Sequence, residues 1–275
     1  MARMRRIRWL LVPAALLGLA AAALAAHGGA RTKATSIDSF TSGAVTARCP
    51  AGRGLGLGGF QSNAGADVGL VVSRDEPASG HAWAADATNT FINPGRLSAT
   101  AYCGPRRHLR RVSATTSIAA QSGGTYPSGS AVARCPHRTS VRLGGFSADV
   151  SPQPDGPGLN LHAMSLASPR KWKVTATNEG PAPGTLRATA WCGHGRALSR
   201  AVGKASVPDG GSAAATARCR HGKKVALGGF HTGPPGSLGP YLNQLRRPAA
   251  ARWRAGAVQL SGNGGGSLRA IAYCG

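Results

Sequence analysis

Apolar and polar residues alternate with a period of two over short stretches, and the alternation returns three times along the chain. Ahead of Cys49, the residues Val45, Ala47 and Cys49 fall on one side of an extended chain, while Thr46 and Arg48 fall on the other. Further on, Trp83, Ala85, Ala87 and Asn89 share a side, followed by Leu97, Ala99, Ala101 and Cys103. The second copy gives Trp172, Val174, Ala176 and Asn178, then Leu186, Ala188, Ala190 and Cys192. The third gives Trp253, Ala255, Ala257 and Gln259, then Leu268, Ala270, Ala272 and Cys274. A period of two is the mark of a half-buried β-strand. Gly-rich turns separate the runs and no amphipathic stretch is long enough for a helix, so the expected class is all-β. Each copy reads as five or six antiparallel strands in a small sandwich or partly closed barrel.

Fixed landmarks define the repeat. A short strand ends at Cys49, Cys135 or Cys219, and a Leu-Gly-Gly-Phe tetrad follows, ending eleven residues later at Phe60, Phe146 or Phe230. Next come Trp83, Trp172 and Trp253, and each copy closes on an aromatic, a cysteine and a glycine: Tyr102-Cys103-Gly104, Trp191-Cys192-Gly193 and Tyr273-Cys274-Gly275. Self-similarity at a fixed period dictates architecture. It divides the chain into a leader (1–25) and three tandem β modules (26–104, 105–193 and 194–275) with an internal pseudo-threefold repeat. The pattern leaves open whether the modules stand as beads or close around an axis.

Modules this small, with cores rich in alanine, bury too little surface to be stable without a staple. The threefold recurrence selects one pairing of the six cysteines, first to last within each module: Cys49–Cys103, Cys135–Cys192 and Cys219–Cys274. Closing loops of this length stabilises each module by roughly 4 kcal/mol on the chain-entropy model. Both cysteines of each pair fall on inward faces. No pair has zinc-site spacing, and neither metal nor cofactor is expected.

The N-terminal stretch agrees with disulfide chemistry. Arg3, Arg5, Arg6 and Arg8 precede an apolar run from Trp9 to Ala26, with Ala23-Leu24-Ala25 as a small-x-small cleavage site. This is the layout of a secretory signal peptide, the alternative being a retained membrane anchor. The expected location is extracellular or cell-wall associated, with no stable membrane insertion after cleavage. Cys49-Pro50-x-Gly52, the Leu-Gly-Gly-Phe tetrad, the downstream Trp and the Leu-x-Ala-x-Ala-aromatic-Cys close resemble a repeat of secreted proteins in high-GC Gram-positive bacteria. That resemblance covers nearly all of the mature chain. It implies secretion and a β-repeat fold and supplies no activity. The third module departs from it, with Arg220 where the others have Pro50 and Pro136.

Charge adds the main functional signal. Without the four leader arginines, the 33 Lys and Arg fall to 29 against 9 acids, a net of +20. The three modules carry nets of +1, +8 and +11. Candidate polyanion contacts are Arg106, Arg107, Arg110 and Arg111, then Arg170, Lys171 and Lys173, then Arg246, Arg247, Arg252 and Arg254. A field of this sign attracts polyanions such as wall teichoic acid, nucleic acid or an acidic glycan. The expected function is therefore a secreted, non-enzymatic protein that binds an anionic polymer. The alternatives are a recognition or inhibitor module using the variable loops between Phe and Trp, and an unrecognised hydrolase.

Other motifs read as structure. Gly54-x-Gly56-x-x-Gly59 matches a dinucleotide fingerprint in letters but lacks the following helix. Asp75 and Glu76 are expected in a solvated turn, and the histidines at the surface or in turns. Trp83, Trp172 and Trp253 are expected in the core, whereas Tyr102, Trp191 and Tyr273 alternate outward, toward a neighbouring module or a ligand. No Gly-x-Ser-x-Gly elbow is present.

Overall fold

The computed structural model describes residues 29–64, 69–149, 158–233 and 238–275. The leader and much of the variable Phe-to-Trp loops, including 151–157 and 234–236, lie outside the described residues. Eighteen strands and no helix are present among them. The first repeat supplies β1 (Ala30–Ile37), β2 (Ser42–Arg48), β3 (Gly54–Ser62), β4 (Leu70–Ser79), β5 (Ala82–Asn89) and β6 (Gly95–Gly104). The second supplies β7 (Arg110–Ile118), β8 (Ser128–Arg134), β9 (Ser140–Asp149), β10 (Leu159–Ser168), β11 (Lys171–Asn178) and β12 (Gly184–Gly193). The third supplies β13 (Ser199–Val207), β14 (Ser212–Arg218), β15 (Val225–Thr232), β16 (Tyr241–Ala249), β17 (Arg252–Val258) and β18 (Gly266–Cys274).

Each repeat splits into two three-stranded half-sheets, and every half-sheet is completed by a neighbour. In the first repeat these are β1-β6-β3 and β2-β5-β4. Strand β4 pairs with β9, β10 with β15, and β16 with β3, all antiparallel. Three six-stranded sheets result: a 1–2 sheet (β2-β5-β4-β9-β12-β7), a 2–3 sheet (β13-β18-β15-β10-β11-β8) and a 3–1 sheet (β1-β6-β3-β16-β17-β14). The third junction returns to the first repeat, so the modules form a closed pseudo-threefold ring. The buried apolar residues of all three repeats belong to one core. Its largest members are Trp83, Trp172, Trp253, Phe60, Phe146 and Phe230.

The three disulfides link Cys49–Cys103, Cys135–Cys192 and Cys219–Cys274. Cys49 follows β2 in the 1–2 sheet, and Cys103 lies on β6 in the 3–1 sheet. The bond therefore ties together the two half-sheets of one repeat. The same holds for the other two pairs.

The tetrad explains how the ring closes. Its first glycine faces the tryptophan of its own repeat: a Cβ on Gly58, Gly144 or Gly228 would lie 1.9, 2.2 or 2.1 Å from the ring of Trp83, Trp172 or Trp253. Its second glycine faces the neighbour's backbone. A Cβ on Gly59 would lie 2.0 Å from the Leu245 carbonyl, on Gly145 2.5 Å from that of Asp75, and on Gly229 2.2 Å from that of Met164. The phenylalanine then sits at the junction register, where Phe60 pairs with Leu245, Phe146 with Asp75, and Phe230 with Met164. The tryptophan N–H donates to the second glycine's carbonyl in two repeats, Trp172 to Gly145 at 3.2 Å and Trp253 to Gly229 at 2.9 Å.

Two expectations are corrected. Asp75 and Glu76 are not in a solvated turn; they are 1 % and 2 % exposed in β4, because that strand forms the 1–2 junction. His162 is not at the surface; it is fully buried, at the residue skipped by the register shift in β10. Tyr102 and Tyr273 do alternate outward, but the neighbouring repeat covers them. Their hydroxyls accept the backbone N–H groups of Arg247 and Leu166, each at 2.8 Å.

Gly229→Ala should cost roughly 1–3 kcal/mol, because the Met164 backbone cannot move aside without opening the 2–3 junction. Gly80→Ala is the control, since nothing lies within 4 Å of the added Cβ. Thermal melts compare the two. Equal melting temperatures would remove the second glycine from the account of ring closure.

Candidate functional site

Strand parity sorts the charged side chains onto three outer faces. On the 1–2 face, Arg74 pairs across the strands with Asp86, and Glu76 with Ala84. Arg74 Nε lies 3.2 Å from Glu76, its Nη1 lies 3.5 Å from Asp86, and Arg111 Nη2 lies 3.6 Å from Glu76. Every ion pair among the described residues is on this face. Asp149 and Arg187 also lie there, on β9 and β12.

Among the described residues, the other two faces carry cations without acids. On the 3–1 face Arg246 lies directly across from Arg254, and Arg252 across from Arg218. The Nε atoms of Arg246 and Arg254 are buried and have no protein partner. On the 2–3 face, Arg269 pairs with Lys204, Tyr273 with Arg200, and Lys171 with Arg134, while Lys173 sits opposite Val132. The remaining described acids lie elsewhere: Asp38 and Asp209 in the turns after β1 and β13, and Glu179 in the interior. The charge therefore sorts by sheet rather than by module, because each sheet takes half of two repeats. The two cationic faces end at adjacent edges, β13 and β14, both from the third repeat.

The sequence candidates scatter over this surface. Arg106, Arg107 and Arg110 are exposed in and just after the connection from β6 to β7. Arg111 is tied to Glu76. Arg170 folds back and donates from Nε and Nη2 to the Cys135 carbonyl at 3.4 and 3.1 Å. Arg247 stacks on Tyr102 with its guanidinium carbon 4.5 Å from the ring centre, at the 3–1 junction. Lys171 and Lys173 face outward on the 2–3 sheet, and Arg246, Arg252 and Arg254 on the 3–1 sheet. Cluster reading missed Arg134, Arg200, Lys204, Arg218 and Arg269, which are isolated in sequence. Their signal was strand alternation, since each occupies an outward position between inward ones.

Buried ionisable groups mark the junctions. In the 1–2 junction Asp75 replaces the apolar Met164 and Leu245 of its counterparts. It accepts a hydrogen bond from Trp83 Nε1, and burial pushes its carboxyl up to about 8 despite that bond. Trp191 takes the place of Tyr102 and Tyr273 here, and the strand opposite offers Pro77, which has no N–H to donate. Its indole Nε1 is without a partner. In the 2–3 junction His162 Nδ1 is 3.3 Å from Thr232 Oγ1, and burial with His231 nearby lowers its pKa to about 4. Near the pseudo-threefold axis, Glu179 accepts from Tyr241 at 2.6 Å and Asn160 at 2.9 Å, while burial raises it to about 7. The cavity beside them, lined by β4, β10 and β16, has a volume of about 10 Å³, no more than one water needs. Among the described residues no three His, Cys, Asp or Glu side chains converge as a metal site would require.

Comparison with protein-family models finds no match, and comparison with curated proteins finds none either.

Asp75 gives a stability test with a definite sign. Its folded pKa lies above its ordinary value of 3.8, so the folded state holds a proton that the unfolded state releases. The Asp75 contribution to stability therefore falls as pH rises from about 4 to about 8. Asp75→Asn should melt above wild type at pH 8 and approach it near pH 4. His162 acts in the opposite sense between about 4 and 6.5, and that slope should persist in both proteins. A constant gap between the two melting curves would show that Asp75 is ionised in the fold.

Proposed function

We propose that the chain is an extracellular binding protein for anionic polymers, engaging them through its 2–3 and 3–1 faces. The observation that carries this reading is the segregation of charge: acids neutralise cations on one face, and no described acid faces the other two. Three disulfides fit an oxidising, extracytoplasmic compartment. The expected leader and a wall-associated location belong to the same proposal.

Two details favour recognition of backbone anions over recognition of bases or sugar rings. Trp83, Trp172 and Trp253 are at most 2 % exposed, so the tryptophans of the repeat offer no stacking platform. Arginines dominate the 3–1 face, and their planar forks suit phosphate or sulfate in bidentate geometry. Polymers that meet these requirements include teichoic-type polyphosphodiesters, nucleic acid backbones and sulfated glycans.

Reversing Arg246, Arg252 and Arg254 to glutamate tests the reading against a control of equal charge change, in which Arg48, Arg53 and Arg187 are reversed. Both sets are retained on an anionic resin and eluted with salt. The 3–1 variant should elute earlier with a shallower dependence of log affinity on log salt, because fewer counterions are released. The control should stay close to wild type. Co-elution of the two variants would reduce the faces to a generally charged surface.

A further inference from the structure

Where the two cationic faces meet, a groove of about 470 Å³ opens between β13 and β14. It is lined by Ser199, Arg200, Arg218, Arg220, His221 and Lys223, among others. None of its four cations forms an ion pair among the described residues. Lys223 Nζ donates to Ser199 Oγ at 3.2 Å, which holds the ammonium at the groove wall. The volume is in the range of sites that take small ligands.

The other two repeats serve as internal controls. The turn after the first cysteine closes alike in all three, with Arg53 N–H to the Pro50 carbonyl at 3.1 Å, Thr139 to Pro136 at 3.2 Å, and Lys223 to Arg220 at 3.2 Å. Only the third copy places a cation at both ends of the turn. Its backbone also differs. In the first two copies only the second central residue has positive φ, Gly52 at 80° and Arg138 at 63°. In the third, both central residues do, His221 at 54° and Gly222 at 71°. A non-glycine residue in that region is strained, and Arg138 carries the same strain in the second copy; what sets the third copy apart is two consecutive positive-φ residues flanked by cations. The fold does not require this arrangement, since two sister turns do without it.

We infer that this groove is a discrete anchoring site for one tetrahedral oxyanion group, a phosphate or sulfate ester, on the polymer that the cationic faces hold. Arg218 and Arg220 supply planar donors, Lys223 a point charge, and Arg200 reaches in from the 2–3 face. The ligand is bound without covalent chemistry. The inference rests on the polyanion reading and gives that surface a specific end point.

The test uses the full chain and inorganic pyrophosphate, followed by calorimetry, with a sulfated disaccharide as a second arm. Wild type should bind one pyrophosphate saturably at moderate salt. The double variant Arg220→Pro with Lys223→Thr installs the second repeat's own residues, so the turn can still close. It should lose roughly tenfold or more in affinity, as expected for removing two charge-assisted contacts. Its retention on the anionic resin should fall only slightly, because the faces are intact. Arg220→Lys should recover part of the affinity. Preference between the two arms tells phosphate from sulfate. Resin retention without saturable binding of either small anion, or equal affinity in the double variant, overturns the groove and leaves the faces standing. Loss of resin retention in wild type overturns the broader reading instead.

Discussion

Everything in this structure depends on backbone approaching backbone at the second glycine of the Leu-Gly-Gly-Phe tetrad. At Gly59, Gly145 and Gly229 the neighbouring strand lies where a side chain would otherwise be. The inter-repeat pairing is brief, with only two residue pairs in register at each junction. Such short ladders add little by themselves. They hold because the adjacent phenylalanine buries itself at the same point and the preceding glycine seats a tryptophan beneath it. Four consecutive residues thus set the sandwich interior and the ring contact together. The disulfides act on a different axis, tying the half-sheets of one repeat, so ring closure rests on noncovalent contacts: packing, short strand pairing and a few side-chain bonds.

The individual strands were legible because a half-buried strand writes its burial directly into alternate residues, as Trp172, Val174 and Ala176 show. The cysteine pairing was legible because the repeat offered three copies of one answer. The fusion of half-sheets across repeats was not. It is fixed by β4, β10 and β16, each of which skips a residue partway along and so breaks the period-two pattern. The burial of Asp75 and Glu76 was hidden as well, because part of what covers them, Phe146 and Arg111, belongs to the second repeat. The charge clusters were legible as charge but not as surface. Arg170 and Arg247 are adjacent in sequence to face residues, yet one is hydrogen-bonded to Cys135 and the other stacked on Tyr102.

The three junctions are alike in backbone and unlike in chemistry. The 3–1 and 2–3 junctions place a tyrosine hydroxyl on a neighbour's N–H. At the 1–2 junction the neighbour supplies Pro77, and the aromatic is Trp191 rather than a tyrosine. A hydroxyl there would meet no backbone donor at that position, so both departures remove the same hydrogen bond. Glu76, Arg74 and Arg111 bring charge to this junction instead, and Asp75 a buried carboxyl bonded to Trp83. The 1–2 junction is thus held partly by ionisable groups, whereas its sisters rely on apolar contact and neutral hydrogen bonds. Its face is correspondingly neutralised.

That asymmetry bears on how the cationic faces are maintained. Cross-strand neighbours on one face have Cβ atoms about 5 Å apart, inside the roughly 8 Å over which physiological salt screens charge. Arg246 opposite Arg254 is therefore a repulsive pair, and so is Arg252 opposite Arg218. The equivalent of the Arg246–Arg254 pair is Glu76 with Ala84 in the first repeat and Ser165 with Lys173 in the second. The same backbone accepts an acid, a hydroxyl or a cation there, so the fold does not ask for two arginines. Their pairing works against stability, and the shared core lets the sheet tolerate it. An anion laid across the pair would relieve the repulsion and gain bidentate contacts at the same time. The Arg246–Arg254 repulsion has no counterpart in the sister copies, whereas the Arg252–Arg218 repulsion recurs as Lys171 opposite Arg134. A local conflict of this kind, which the fold does not need, is where a bound anion would have most to gain.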